Sequence, residues 1–191
     1  MPRRRRHAVL GTKGGVDAKR EPTPAQSVPG PRDWQALLSQ DGVYGDQSFL
    51  ATCHRDIATV YHLWDEQRRG RVMPSRADFD PLDIPALILP GVLLIDVDAE
   101  SLRFRYRLVG TRDVTRRGKD PTGLDVMQGY YGPDAERALA TYGYVTAAGR
   151  PLYRSDAVLD NKQIVRAEER LFLPLGSDGE TVDMILVFVV W

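Results

Sequence analysis

The strongest pattern in the chain is its end. Met184 to Trp191 is an unbroken run of eight apolar residues, rich in β-branched and aromatic types, after a Gly-Ser-Asp-Gly turn at 176–179. A strand wetted on one side alternates polar and apolar residues. This one does not, so both its faces need cover. No residue follows Trp191, so the strand is expected to lead into no output domain. Upstream, Ile57, Val60, Tyr61 and Trp64 fall at i, i+3, i+4 and i+7, which makes one stripe of a helix. Asp46 or Ser48 suits its start. Arg68 and Arg69 suit the negative end of its dipole, and Gly70 the left-handed position beyond it. That stripe is the expected cover for the outer face of the terminal strand.

The remaining pattern fills in the sheet. Trp34, Leu37 and Leu38 predict a short helix that Gly42 to Gly45 breaks. Asp80 caps a short helix with Pro81 at its first position, and Pro90-Gly91 ends it. Strands are predicted over 92–97 and 103–109. In the second, Phe104, Tyr106 and Leu108 share one face and Arg103, Arg105 and Arg107 the other. Short helical pieces fill 111–129. A longer helix starts at Pro133 or Asp134 and ends at Gly149, with Ala135, Ala138, Leu139, Tyr142 and Val145 on one stripe. Three more strands follow at 152–159, 165–175 and 181–191. One hairpin and one three-strand meander give an α+β fold: a five-stranded antiparallel sheet, middle helices on its inner face, and the N-terminal helix over part of its outer face.

Composition divides the chain. Apolar residues make up 42% of it, enough for a real core. The formal net charge of zero conceals eight basic residues against two acidic in residues 1–32, and 18 against 24 in the rest. Residues 1–32 are too poor in large apolar side chains to offset their ordering entropy and read as a disordered basic tail. Residues 33–70 then form an N-terminal helical segment, and 71–191 the sheet domain. Arg3 to Arg6 are either a solvated tail or an arm for nucleic acid. No apolar run reaches the ~18 residues of a membrane span, and Ala8-Val9-Leu10 is too short for a secretion signal, so a cytoplasmic location is expected.

Chemistry-bearing residues are sparse. Cys53 is the single cysteine, so no internal disulfide forms. His54 and His62 lie eight apart on one helix, too far for an i, i+4 metal pair, so no metal site is expected. No serine is paired with a histidine in a recognisable motif, and there is no Gly-rich phosphate loop. With His7 in the tail, these residues predict no catalytic site and no enzyme. Arg103, Arg105 and Arg107 are expected either to pair with Glu168, Glu169 or Asp96 on neighbouring strands or to meet an anionic patch on a partner.

Several segments resemble a bacterial family of compact, often stand-alone PAS-like proteins. They are Arg71 to Pro81, Phe104 to Thr111, Gly118 to Gly123, and the hairpin Pro174-Leu175 with Asp178-Gly179 and Val182-Asp183. The resemblance covers about 55–190, and Pro121 departs from it. It implies a PAS-like sheet and a role in signal sensing or protein interaction, without fixing a cofactor. A haem ligand or a flavin-reactive cysteine would be expected in the middle helices or late strands, where no histidine or cysteine occurs, so both are disfavoured. At matched turns, Gly110 ends a strand and Thr111 caps the next helix, while Asp120 and Thr122 cap amides around Gly123. Phe104, Tyr106 and Leu108 are expected to meet Leu139 and Tyr142, with Tyr130 and Tyr131 at the mouth. These seven either bind a small planar ligand or fill the core. Output is expected through a signalling-protein partner or a homodimer, by way of Trp64, Val187, Val189 and Trp191 on the outer face. The alternative is nucleic-acid binding by the basic arm.

Overall fold

The computed structural model describes residues 31–40, 42–131, 134–159 and 165–191. In chain order the helices are α1 (Pro31–Leu38), α2 (Arg55–Gln67), α3 (Thr111–Arg117), α4 (Val126–Gly129) and α5 (Ala135–Ala148). The strands are β1 (Val43–Tyr44), β2 (Val92–Asp98), β3 (Arg103–Val109), β4 (Leu152–Leu159), β5 (Val165–Leu175) and β6 (Met184–Val190). They form one antiparallel sheet in the order β1-β4-β5-β6-β2-β3. The predicted hairpin is β2–β3 and the predicted meander β4–β5–β6. The terminal strand β6 joins them at the centre, paired to β5 and to β2.

The sheet has six strands rather than the expected five. The extra one, β1, forms because Gly42 turns the chain at φ +77° and brings Val43 opposite Arg154. The Gly42 carbonyl accepts from the Ser155 amide at 2.8 Å. A Cβ at residue 42 would sit 2.3 Å from the Ser155 carbonyl oxygen, so only glycine fits. Gly110 is required for a related reason: its Cβ would lie 2.2 Å from the Pro90 carbonyl oxygen.

β6 is buried on both faces. Leu186 and Phe188 lie on the outer side, where α2 packs across β5 and β6. All four stripe residues of α2, Ile57, Val60, Tyr61 and Trp64, are buried. Trp64 Nε1 donates to the Pro174 carbonyl at 2.8 Å. β4 runs out opposite Phe172, so Pro174 has no strand partner on that edge, and the indole satisfies its oxygen. Phe49 stacks on Tyr153 at 4.8 Å and meets Tyr61 edge-on at 5.5 Å, which extends the outer layer over β4. The inner side is covered by α5. There Tyr142 lies between Phe104 and Phe172, with ring centroids 5.4 and 5.8 Å away. α1 packs on α5 through Trp34 and Tyr144. Leu37, Phe49 and Trp64 therefore belong to the same core as the sheet.

Local caps differ from expectation at two helices. Asp46 caps the single turn Gln47–Ala51, and α2 starts later, capped by His54, whose Nδ1 accepts from the Asp56 amide at 3.2 Å. The His54 amide in turn donates to Glu169 of β5 at 2.7 Å, so a sheet contact fixes where α2 begins. For α3 the cap is Gly110, and Thr111 is the first helical residue. Elsewhere the expected caps form. Asp80 accepts from Leu82, Asp120 from Thr122 and Asp134 from Arg137. Residues 1–30 of the predicted tail lie outside the described residues, and its last two open α1.

Two predictions follow from these contacts. Trp64→Ala should destabilise the protein by about 3–5 kcal/mol, the usual cost of a buried tryptophan. Trp64→Phe should cost less, mainly the unpaired Pro174 carbonyl at about 1–3 kcal/mol; urea unfolding of both variants separates packing from the hydrogen bond. In the β5–β6 turn, the Asp178 carboxylate accepts from the Glu180 and Thr181 amides, which hold its pKa down to about 2. A depressed carboxyl pKa stabilises the fold above the unfolded value and loses that contribution as pH falls toward 2. Asp178→Asn, which keeps an acceptor but does not titrate, should flatten the stability–pH curve in that window.

Candidate functional site

The parity of β5 and β6 decides which side chains reach the inner face. Phe172 and Arg170 face α5, and their ladder partners Val187 and Val189 face the same way. On β2, Leu93 pairs with Val187 and joins them. Between this floor and the helices lies a cavity of about 70 Å³. Tyr106 of β3, Tyr130 and Tyr131 after α4, and Tyr142 of α5 line it. Phe104 and Leu139 are buried beside it in the core rather than in its wall.

Leu108 is not part of this site. Leu94 pairs with Leu108 but Ile95 with Tyr106, so β3 carries one extra residue, Arg107, at a bulge. The bulge breaks the alternation, and Leu108 turns out to solvent at 44% exposure.

The four side chains expected to form an interface, Trp64, Val187, Val189 and Trp191, are also placed differently from expectation. Trp64 is 2% exposed, and Val187 and Val189 are buried facing the inner side, not the outer. Trp191 is half-buried beneath the guanidinium groups of Arg116 and Arg112, 4.9 and 5.9 Å from its ring. The large apolar side chains left exposed among the described residues include Val72, Leu82 and Leu87 before β2 and Leu108 on β3. α2 lies over β5 and β6. On the outer side of β2–β3 the described residues Phe79, Pro81, Leu94, Arg107 and Met184 line a groove.

What the sequence did not single out is the charge inside the cavity. Glu168 is 1% exposed and bound by both Arg116 and Arg170. Its expected role as a surface pair is therefore replaced by a buried ion cluster. Arg117 pairs with Asp113 at 2.5 Å, donates to the Gly129 carbonyl at 2.8 Å and lies over the Tyr106 ring at 5.2 Å. Arg154, 4% exposed, pairs with Asp156 at 2.9 Å and donates to Thr141 at 3.1 Å. Asp156 also meets Arg137 at 3.1 Å and Arg170 at 3.7 Å. Burial lowers the Arg154 pKa; Asp156 opposes that shift, and Arg137 and Arg170 add to it. Burial also pushes up the Tyr106, Tyr130 and Tyr142 hydroxyls, so all three stay protonated donors at neutral pH. The only advance sign of this cluster was arginine recurring at 116–117, 137, 154 and 170, and those positions lie on separate elements.

Among the described residues neither histidine nor cysteine lines the cavity. His54 and His62 belong to α2, and the Cys53 thiol pKa is raised by burial and by Glu169, which disfavours the reactive thiolate. Among the described residues no group of three or more His, Cys, Asp or Glu side chains is placed to hold a metal. Among the same residues no helix is long and apolar enough to cross a membrane. The surface arginines of β3 are exposed, and Arg107 pairs with Asp96 at 3.6 Å. His7 and the Arg3–Arg6 arm lie outside the described residues.

Because Glu168 is held by two arginines, Glu168→Ala should strand their charge and cost about 3–5 kcal/mol. The double variant Glu168→Ala/Arg116→Ala should recover part of that loss; chemical denaturation of the pair in a mutant cycle measures it.

The family model for the PAS domain matches residues 52–189. No curated protein and no solved structure matches the chain. The match begins just before α2 and ends within β6, so it takes in the outer helix as well as both walls of the cavity. On that match, and on an antiparallel sheet with its helices in the expected order, the chain belongs to the PAS domain family.

Proposed function

We propose that this protein is a bacterial cytoplasmic signalling sensor or adaptor that works through contact with another protein or a second copy of itself, and that a small ligand in the inner-face cavity sets that contact. PAS domains generally serve as sensory or interaction modules. The observation that carries the ligand half of the reading is the cavity itself. It is walled by Tyr106, Tyr130, Tyr131 and Tyr142 and by Arg116, Arg117, Arg154 and Arg170, of which the buried Arg154 keeps an unpaired Nε. Buried polar atoms are costly unless something satisfies them, and a ligand does so. The size of the space argues against a large cofactor: about 70 Å³ is far below the ~300 Å³ or more of a typical cofactor pocket. The protein performs no reaction on the ligand. Binding instead favours one of two surface states. The output surface lies on the outer side of β2–β3, where α2 gives no cover and Leu108 is exposed beside Leu94.

A cavity-filling variant tests the reading. Val187→Phe should block the space at a cost of about 1–3 kcal/mol, leaving a folded protein. Wild-type protein should gain thermal stability with at least one member of a small-metabolite panel, and the variant should gain none. Equal stabilisation of the two would place the ligand elsewhere and sink the cavity as the sensing site. Leu108→Glu should leave the melt unchanged and weaken self-association or partner binding.

A further inference from the structure

We infer that the inner-face cavity is a receptor for a small organic carboxylate, held by Arg154 and Arg170 against an apolar floor. This deepens the sensor reading above and rests on it. The first observation is charge. The cluster around the cavity contains the guanidinium groups of Arg116, Arg117, Arg137, Arg154 and Arg170. Its carboxylates are Asp113, Asp156 and Glu168. Among the described residues these five cations against three anions leave an excess of two positive charges at a partly buried site.

The second observation is an unfilled donor. Arg154 Nε is buried and has no hydrogen-bond partner, although the same guanidinium bonds Thr141 and Asp156 through its two terminal nitrogens. Arg137 Nε is also unpartnered, but Arg137 does not line the cavity. Such N–H groups want an acceptor, and the charge excess says the acceptor is anionic. The crowding of Arg154 by Arg137 and Arg170 is relieved by the same anion.

The third observation sets the chemical class. Beside Arg154 and Arg170 on the same sheet face, Leu93, Phe172, Val187 and Val189 give an apolar stretch of floor. An inorganic anion gains nothing from it, whereas a carboxylate with a short carbon chain buries that chain there. About 70 Å³ limits the ligand to a few heavy atoms in this state, since a single water already takes ~30 Å³ in the liquid. Propionate has that size and shape, propionamide is its neutral counterpart, and phosphate is an anion without the chain.

The test titrates the full-length protein with propionate, propionamide and inorganic phosphate at constant ionic strength. Binding is followed by NMR through the Arg154 Nε–H resonance and the methyl groups of Val187 and Val189. Saturable shifts at both with propionate, at least tenfold weaker with propionamide and with phosphate, support the proposal. Arg154→Gln should then weaken propionate at least tenfold while leaving the valine methyl pattern of the free protein intact. If that variant does not fold, Arg170→Gln is read in the same way. Propionamide binding as well as propionate overturns the carboxylate assignment and leaves a ligand-sensing cavity standing. Phosphate binding more tightly than propionate overturns it too. If none of the three moves the cavity resonances, the carboxylate assignment falls, and absence of any cavity-dependent shift across the metabolite panel takes the sensor reading with it.

Discussion

β6 has no face that water can take, and the architecture follows from that. A central strand with Leu186 and Phe188 on one side and Val187 and Val189 on the other needs two covering layers. α5 supplies the inner one. The outer one comes from α2, almost the whole sheet domain away in sequence, and it is fixed there by more than apolar contact. Trp64 bonds Pro174 and the amide of His54 bonds Glu169, so both ends of the helix are tied to β5. A helix held only by its stripe could slide along the sheet. Two polar anchors set its register. The family match starting at residue 52 includes this helix, as that dependence requires.

The two sides of the sheet are put to different use. The outer layer over β4, β5 and β6 is dense and aromatic, with Phe49, Tyr61, Trp64 and Tyr153 in mutual contact. The inner layer is interrupted by ionised side chains. Replacing a buried ion cluster with well-packed apolar residues is often neutral or stabilising, so Glu168, Asp156 and their arginines are not the cheapest way to fill that space. A polar interior more costly than an apolar one fits the proposed ligand site better than a packed core.

Much of the fold was legible in periodicity. The α2 stripe, the β2–β3 hairpin, the β4–β6 meander and the caps at Asp80, Asp120 and Asp134 all depend on residues close in sequence, and all appear where local chemistry puts them. The misreadings share a cause: each depended on a partner far along the chain. Leu108 left the inner face because a bulge at Arg107 answers to β2, which no pattern within β3 reveals. The side on which Val187 and Val189 lie is not legible locally, because an all-apolar strand carries no parity signal. Only pairing with Arg170 and Phe172 fixes which residues point inward. Helix α2 began at His54 because Glu169 is there to receive its amide. The aromatic half of the cavity was visible as Tyr106, Tyr130, Tyr131 and Tyr142. Its arginines were not, since they converge from α3, α5, β4 and β5.

That convergence gives the cavity a direct physical connection to the end of the chain. Arg116 binds Glu168 with its guanidinium and lies 4.9 Å over the ring of Trp191 with the same group. A planar cation can satisfy both at once only while Glu168 keeps its place between Arg116 and Arg170. The carboxyl-terminal aromatic is thus seated by an ion pair whose other partner forms the cavity wall. Val189, two residues earlier, lines that wall itself. The strand that demands both covering layers also carries part of the cavity floor and leads into Trp191, over which the cavity's Arg116 lies.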